Sequence, residues 1–227
     1  MKTTLRVFAF IMIVLPANAF AEPASRWEAA IAKFESRDVL VPPVPGQILF
    51  IGSSSVRFWL TLEHDMTGLP VLNRGFGGSQ FSDLIDFTAR IVLRYRPSVI
   101  AVYEGDNDIA AGKTSDRVVA DFNSFVALVK ANLPDARVCF ISIKPSLLRA
   151  EMWPEMSLAN TKIAAIVAND PLLCYLDVAS PMLDESGNAK PELFVEDGLH
   201  MNADGYRIWT EVVRPQVEAL YRERSIP

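Results

Sequence analysis

The amino-acid sequence predicts an α/β protein: a three-layer α/β/α sandwich built on a doubly wound, five-stranded parallel sheet. Two observations support this fold class. Short apolar runs alternate with longer segments of helical period, which is the pattern of a parallel sheet covered by helices on both faces. Proline-containing stops such as Asn132-Leu133-Pro134 and Asn169-Asp170-Pro171 separate helical segments from the strands that follow them. Ligands of such folds bind beyond the carboxyl ends of the strands.

The predicted elements alternate along the chain. Five apolar runs are predicted to be strands: Ile48 to Ile51, Val71 to Asn73, Val99 to Tyr103, Val138 to Ile143 and Leu172 to Asp177. Helices are predicted between them over Val56 to Asp65, Phe81 to Tyr95, Ser115 to Ala131 and Ser157 to Ala168, with two more at Ser25 to Ser36 and Ala203 to Arg222. Right-handed crossovers between parallel strands then place helices on both faces of the sheet.

The first 21 residues resemble a secretory signal peptide. Lys2 and Arg6 form a basic start, Val7 to Leu15 is apolar, and Ala19-Phe20-Ala21 is a cleavage site of the small-x-small type. A single membrane anchor is the competing interpretation, but this apolar run is short for a bilayer span. We therefore predict a periplasmic or secreted protein with no stable membrane anchor, whose mature chain is one domain over residues 22–227.

The charge of the chain limits its partners. The sequence of 227 residues has a net charge of −5, and removal of the predicted signal peptide would take away Lys2 and Arg6 but no acidic residue, which leaves −7. An acidic protein of this kind is not expected to bind nucleic acid or an anionic membrane surface. No linker, repeat or low-complexity segment divides the chain, which agrees with a single domain.

Two cysteines, Cys139 and Cys174, lie near the starts of two predicted strands. Export permits a disulfide between them, and pairing of the two strands would bring them close together. The other interpretation is a pair of buried free thiols. We favour the thiols, because adjacent parallel strands seldom offer disulfide geometry.

The first polar motif, Gly52-Ser53-Ser54-Ser55, follows the first predicted strand and precedes a helix. A serine here would lie near a helix N-terminus, whose partial positive charge favours developing negative charge. Serine is also a preferred helix N-cap, so at least one of the three is expected to have that structural role. Chemistry alone does not choose the nucleophile among Ser53, Ser54 and Ser55.

Two further loops follow strands. Gly75-Phe76-Gly77-Gly78 can bring backbone N–H groups close to a ligand, although such a loop could also hold a phosphate or be a simple turn. Gly105-Asp106-Asn107-Asp108 ends a buried strand, and Asn107 could donate its amide N–H to an oxyanion or serve as an ordinary turn residue. All three loops are predicted to lie at the same edge of the sheet.

Histidine is scarce, and only His64 and His200 are candidates for a general base. His64 lies in a polar stretch that is typical of a solvated helix end. His200 follows Asp197 by three residues, so one turn can hold both side chains and the carboxylate can orient the imidazole.

On these motifs the chain resembles the SGNH hydrolases, the superfamily of GDSL-type esterases and lipases, over nearly the whole predicted mature length. Ser54 matches the nucleophile of that family, Gly78 its backbone oxyanion donor and Asn107 its side-chain oxyanion donor. Asp197 and His200 match its Asp-x-x-His motif. The resemblance also implies a flavodoxin-like sheet of the SGNH hydrolase type.

The resemblance implies two-step acyl transfer with no cofactor and no metal. His200 takes the proton from Ser54, Asp197 holds the imidazole, and the oxyanion binds the Ser54 and Gly78 N–H groups and the Asn107 amide. The first block departs from the family pattern, because Ser53 stands where the family has aspartate. In the second block Gly77 is a close rival to Gly78.

The predicted function is an exported serine esterase that hydrolyses short-chain or carbohydrate-linked acyl esters, so its partner is a small-molecule or glycan ester. Two alternatives stay open: a lysophospholipase or thioesterase with the same site, and a non-catalytic binding protein on the same scaffold.

Several neighbours of the motifs also bear on the site. Glu104 and Asp106 are expected to point away from the oxyanion donor. Lys144-Pro145-Ser146 and Met152-Trp153-Pro154 could line the substrate pocket, although Trp153 could equally be a packing residue.

Overall fold

The computed structural model describes residues 26–223, so the predicted signal peptide lies outside the described residues. Five parallel strands form one sheet in the order β2-β1-β3-β4-β5. The strands are β1 (Ile48–Gly52), β2 (Val71–Gly75), β3 (Val99–Tyr103), β4 (Arg137–Ile141) and β5 (Leu173–Leu176). The predicted three-layer α/β/α fold with a doubly wound parallel sheet is confirmed.

The α-helices within the described range are α1 (Glu28–Leu40), α2 (Ser54–Arg57), α3 (Leu62–Asp65), α4 (Phe81–Ile91), α5 (Asp106–Ala110), α6 (Ser115–Asn132), α7 (Trp153–Val167) and α8 (Ala203–Glu223). Short 3-10 helices span Leu93–Tyr95, Ala150–Met152, Ser180–Met182 and Pro191–Leu193. No helix among these residues is both long and apolar enough to span a bilayer.

The two faces of the sheet bury separate apolar clusters. Leu49 and Ile51 of β1 belong to the cluster that packs under α1, α4, α6 and α7. Ile48 and Phe50 point to the opposite face, where Trp209 of α8 and the short helices α2 and α3 cover the sheet. Successive residues of a strand point to opposite faces, so a strand buried on both sides reads as a continuous apolar run. This explains why the strands were visible in the sequence.

The predicted helix from Val56 to Asp65 is wrong in one respect, because the chain forms two single turns, α2 and α3, instead. The Asn73 side chain donates to the Val56 carbonyl at 2.7 Å, which removes an acceptor that a longer helix would need. The Trp59 indole is buried and donates to Asp65 at 2.6 Å. Burial of Trp59 against α8 therefore decides the path of the chain here.

Several other boundaries differ from prediction, among them the end of α1 at Leu40 and the start of α7 at Trp153. Residues 106–110, predicted as a loop, form the short helix α5. The helix predicted to reach Tyr95 ends at Ile91 and is followed by a 3-10 turn. That turn directs the Tyr95 hydroxyl to Asp38, to which it donates at 2.6 Å, so a tertiary hydrogen bond sets the end of the helix.

The preference for two free thiols is also wrong, because Cys139 and Cys174 form a disulfide. The two residues are direct partners in the register of β4 and β5, with Cα atoms 4.3 Å apart. Opposite residues of paired strands project to the same face, which brings the two sulfur atoms together. In the chain-entropy account, a cross-link between residues separated by 35 positions stabilises the fold by about 4 kcal/mol.

Candidate active site

Ser54 lies where β1 ends and α2 begins. Gly52 has φ +136°, a conformation open to glycine, and it turns the chain so that Ser54 becomes the first residue of α2. Ser54 is half-buried, and its Oγ lies 3.0 Å from Nε2 of His200. Ser53 and Ser55 are buried, so the structure distinguishes Ser54 from its neighbours where sequence chemistry could not.

Asp197 and His200 lie in the turn that precedes α8. Asp197 Oδ2 is 2.6 Å from Nδ1 of His200, and Oδ1 accepts the backbone N–H groups of Leu199 and His200, each at 2.8 Å. Burial alone would raise the pKa of Asp197. The hydrogen bonds from the His200 ring and from the two N–H groups outweigh it and lower this pKa to about 2. Asp197 is therefore ionised at neutral pH and orients the imidazole toward Ser54.

The imidazole of His200 is also held by an aromatic neighbour. The Phe58 ring meets it edge to face, with centroids 4.9 Å apart and planes at 90°. The other histidine, His64, is exposed at the end of α3. The structure thus places His200, and not His64, beside the serine motif.

The glycine loop lies directly beside the serine. A Cβ atom built on Gly77 would lie 3.7 Å from Cβ of Ser54, and Gly78 has φ +80°. Arg26 donates to the Gly78 carbonyl at 3.1 Å, and Trp27 packs over the same glycine. Within residues 26–223, the backbone N–H groups of Ser54, Gly77 and Gly78 donate to no protein acceptor. Each of them is available to an oxyanion, and Gly77 stays the rival of Gly78.

Asn107 is the third predicted oxyanion donor, and both ends of its amide are oriented. Its Nδ2 donates to the Ser79 carbonyl at 2.9 Å, which leaves one N–H free. Its Oδ1 accepts from Nη2 of Arg149 at 3.0 Å. Arg149 also lies 3.2 Å from Oδ2 of Asp106. Arg149 was not among the predicted site residues, although two predicted pocket segments, Lys144-Pro145-Ser146 and Met152-Trp153-Pro154, lie on either side of it.

The carboxyl groups of Glu104 and Asp106 make no hydrogen bond to Asn107, as expected, but neither faces solvent. Glu104 accepts from the Ser79 hydroxyl at 2.6 Å. Burial raises the pKa of Glu104 well above its ordinary value, which favours the neutral form of this carboxyl. Asp106 faces the Arg149 guanidinium instead. Neither group therefore presents an unbalanced negative charge to the oxyanion donors.

Lys144 does not line an open pocket, contrary to the prediction. It is buried and donates to the Leu199 carbonyl at 2.7 Å, with its ammonium over the Phe194 ring. Burial lowers the pKa of Lys144 to about 8. Its contact ties the loop after β4 to the turn that carries His200. Trp153, which was predicted either to line the substrate pocket or to be a packing residue, lies at the start of α7 and packs against the hydrophobic core.

No group of three or more potential metal-ligating side chains converges anywhere in residues 26–223. The arrangement that these residues do form is a hydroxyl, an imidazole and a carboxylate in series, with the glycine loop alongside and Asn107 hydrogen-bonded to Ser79, which follows that loop. Such an arrangement can activate the hydroxyl as a nucleophile and stabilise an oxyanion.

Arg149 is expected to act as a positioning residue. The substitution Arg149→Met should lower kcat for p-nitrophenyl acetate by about tenfold to a hundredfold and change KM little. The reason is that Asn107 loses the donor that fixes its amide. For comparison, removal of an oxyanion donor itself costs about a hundredfold or more in kcat. Steady-state kinetics checks this, with Arg117→Met at an exposed site as control. An unchanged kcat, or an effect confined to KM, would contradict the assignment.

Comparison with known proteins places the chain among esterases. The profile of the GDSL-like lipase/acylhydrolase family matches residues 52–208, which contain every predicted site residue. No curated protein matches the sequence at a significant level.

Several solved structures share the fold at low sequence identity. A GDSL-like lipase from Bacteroides thetaiotaomicron is 18% identical, with a TM-score of 0.73 over 83% of this chain and 97% of that one. A carbohydrate esterase family 3 protein from Talaromyces cellulolyticus is 16% identical, with a TM-score of 0.65 over 78% and 99%. A variant of an acetyl-xylooligosaccharide esterase from Geobacillus is also 16% identical, with a TM-score of 0.59 over 77% and 95%.

Proposed function

The chain belongs to the GDSL-like lipase/acylhydrolase family and is an ester-hydrolysing enzyme, and from that premise we propose that it is an exported serine esterase that removes short-chain or carbohydrate-linked acyl groups through an acyl-enzyme on Ser54. One observation carries the mechanism: Ser54, His200 and Asp197 are joined in series by distances of 3.0 and 2.6 Å. The predicted signal peptide supports export. The carbohydrate esterases among the structural neighbours support a glycan-linked acyl group.

The first half of the reaction forms the acyl-enzyme. Nε2 of His200 takes the proton of the Ser54 hydroxyl as Oγ attacks the ester carbonyl carbon. The Ser54 and Gly78 N–H groups and the free N–H of Asn107 bind the oxyanion that develops. When the tetrahedral intermediate collapses, the bond to the leaving alcohol breaks, and His200 returns its proton to that oxygen.

The second half releases the acid. Water gives its proton to His200 as it attacks the acyl carbonyl carbon, the same donors bind the oxyanion, and Ser54 leaves with the proton that His200 returns. Throughout, Asp197 stabilises the imidazolium. Its pKa of about 2 means that it does so at any pH at which the enzyme would be assayed.

A second candidate substrate class is supported by apolar side chains near the site. Phe58, Leu147 and Leu148 are all exposed, and Leu147 lies against Gly198 in the turn that carries His200. Such side chains could hold a longer acyl chain, as in a lysophospholipase or thioesterase.

An ester panel tests the proposed function. The purified protein is assayed on p-nitrophenyl esters from acetate to palmitate and on acetylated sugars, and it is labelled with a fluorophosphonate. We expect hydrolysis that is fastest for short acyl groups, with the label on Ser54. A preference for long chains would favour the second candidate, and the absence of both hydrolysis and labelling would favour a non-catalytic binding protein. An N-terminus at Glu22 in the exported protein checks the export.

A further inference from the structure

A groove of about 720 Å³ opens beside the glycine loop, between α1 and the segment from α2 to α3. We infer that this groove binds the carboxylate groups of an acidic glycan, and that the substrate is an acyl ester carried on such a glycan. The inference deepens the proposed function, on which it rests, by naming the chemical class of the substrate.

The groove adjoins the proposed nucleophile. Gly77 forms part of its wall, and a Cβ atom built on Gly77 would lie 3.7 Å from Cβ of Ser54. The same atom would lie 2.8 Å from Nη1 of Arg57, which follows Ser54 by three residues on α2. The Arg57 guanidinium therefore stands between the groove and the site of acyl transfer. A glycan in the groove would place its acylated hydroxyl group near Ser54.

The charged side chains of the groove are almost all positive. Four cationic residues line it, Arg26, Lys33, Arg37 and Arg57, against one acidic residue, Glu63. This excess stands out in a chain whose net charge is −5. Clefts lined by one sign of charge attract ligands of the opposite sign.

These cations are not neutralised by the protein. Between residues 26 and 223, Lys33, Arg37 and Arg57 form no ion pair, and all three are exposed. The acidic residues of α1 are engaged elsewhere, since Glu28 and Glu35 pair with Arg90 and Asp38 pairs with Arg74. Helix α1 thus directs its carboxylates to neighbouring elements and presents free cations to the groove.

The spacing of the cations favours an extended ligand over a single phosphate. Lys33 and Arg37 are four residues apart on α1 and so lie on one face, about 6 Å apart along the axis. Arg57 and Arg26 lie at the end of the groove beside the glycine loop, where Arg57 approaches Gly77 and Arg26 donates to the Gly78 carbonyl. The charges are therefore distributed along the groove instead of converging on one point, which suits a chain of carboxylate-bearing sugars.

The remaining lining residues suit sugar rings. Trp27 and Phe34 are half-buried aromatic side chains. Flat aromatic surfaces pack against the apolar faces of pyranose rings. An anionic lipid headgroup would bind the cationic side chains, but it would not need aromatic side chains along the groove as well.

Binding to Ser54→Ala protein, which cannot turn over the ligand, tests the inference without catalysis. Calorimetry compares oligogalacturonate with xylo-oligosaccharide of equal length at low salt. We expect the acidic oligosaccharide to bind at least tenfold more tightly. Adding Lys33→Gln and Arg37→Gln should remove most of that difference. Adding Arg207→Gln and Arg222→Gln, the same charge change on α8, should not.

Steady-state kinetics of the enzyme that retains Ser54 give a second measurement. The ratio of kcat/KM on acetylated polygalacturonate to that on acetylated xylan should fall at least tenfold with the α1 pair of substitutions and stay within twofold with the α8 pair. Equal binding of both oligosaccharides, equal effects of the two pairs, or binding of anionic phospholipid vesicles in place of oligogalacturonate would overturn the inference. Failure of the unsubstituted protein to hydrolyse p-nitrophenyl acetate would instead count against the proposed function. The binding result would still show whether the groove binds an acidic glycan.

Discussion

Ser54→Ala protein is expected to hydrolyse p-nitrophenyl acetate at a rate about 10⁵- to 10⁶-fold below that of the unsubstituted enzyme, because no other hydroxyl contacts His200 in the described residues. The residual rate would come from the oxyanion donors, which act without the nucleophile. Steady-state kinetics at high enzyme concentration measures the loss. Fluorophosphonate labelling of the same protein should disappear with it.

The neighbouring serines supply matched controls. Ser53 is buried, its Oγ has no hydrogen-bond partner within the described chain, and its backbone carbonyl already accepts from Val56 and Arg57. We therefore expect Ser53→Ala to retain activity within a few-fold. Ser53→Ala as inactive as Ser54→Ala, or Ser54→Ala with a tenth of normal activity, would reject Ser54 as the nucleophile.

The same contacts account for the departure of the first motif from the family pattern. Ser53 caps the N-terminus of α2 through its backbone and not through its side chain. Its N–H donates to the Tyr103 carbonyl at 3.1 Å, which joins the ends of β1 and β3. The turn that presents Ser54 is thus held by backbone hydrogen bonds and needs no aspartate at this position.

Gly52→Ala is expected to destabilise the fold by about 3 to 5 kcal/mol, the sum of backbone strain and steric overlap. Gly52 has φ +136°, and a Cβ atom there would lie 2.0 Å from the Tyr103 carbonyl oxygen. That oxygen belongs to the backbone of the central strand β3, so it cannot move aside without breaking the pairing of the two strands. A loss of this size is a large share of the stability of an ordinary domain.

Gly46→Ala is the matched control, because Gly46 also has positive φ (+86°) but has no atom within 4 Å of its Cβ position. It should lose only about 1 kcal/mol, the strain component. Guanidinium unfolding of both variants separates the two effects. Equal stability of the two variants would show that the approach of β1 to Tyr103 does not constrain residue 52.

The elements that the sequence predicted best are those whose signal is local. Each strand is a short apolar run because both faces are buried, so Val99–Tyr103 could be predicted to the residue. The helix predicted over Val56 to Asp65 failed because burial of Trp59 and the hydrogen bond from Asn73 interrupt it. Those contacts join residues that a local pattern does not connect.

Chemical scarcity and family pattern selected Ser54, Gly78, Asn107, Asp197 and His200, and the structure brings these residues to one edge of the sheet. The pairing of Asp197 with His200 was predictable from their spacing, because three residues fit one turn. Arg149 was missed because its partner, Asn107, is 42 residues away in the sequence. A lone arginine in a loop has no local signal that reveals such a contact.

By itself, then, the sequence determined the α/β class, the parallel strands, the family and the residues of the predicted site. These features were predictable because apolar periodicity and short polar motifs involve residues that are neighbours in the sequence. Only the tertiary structure decided which of three serines meets His200, that Cys139 and Cys174 are bonded, and that α1 presents unpaired cations beside the site. Each of these depends on the distance between segments far apart in the chain, and the packing of helices on the sheet sets that distance.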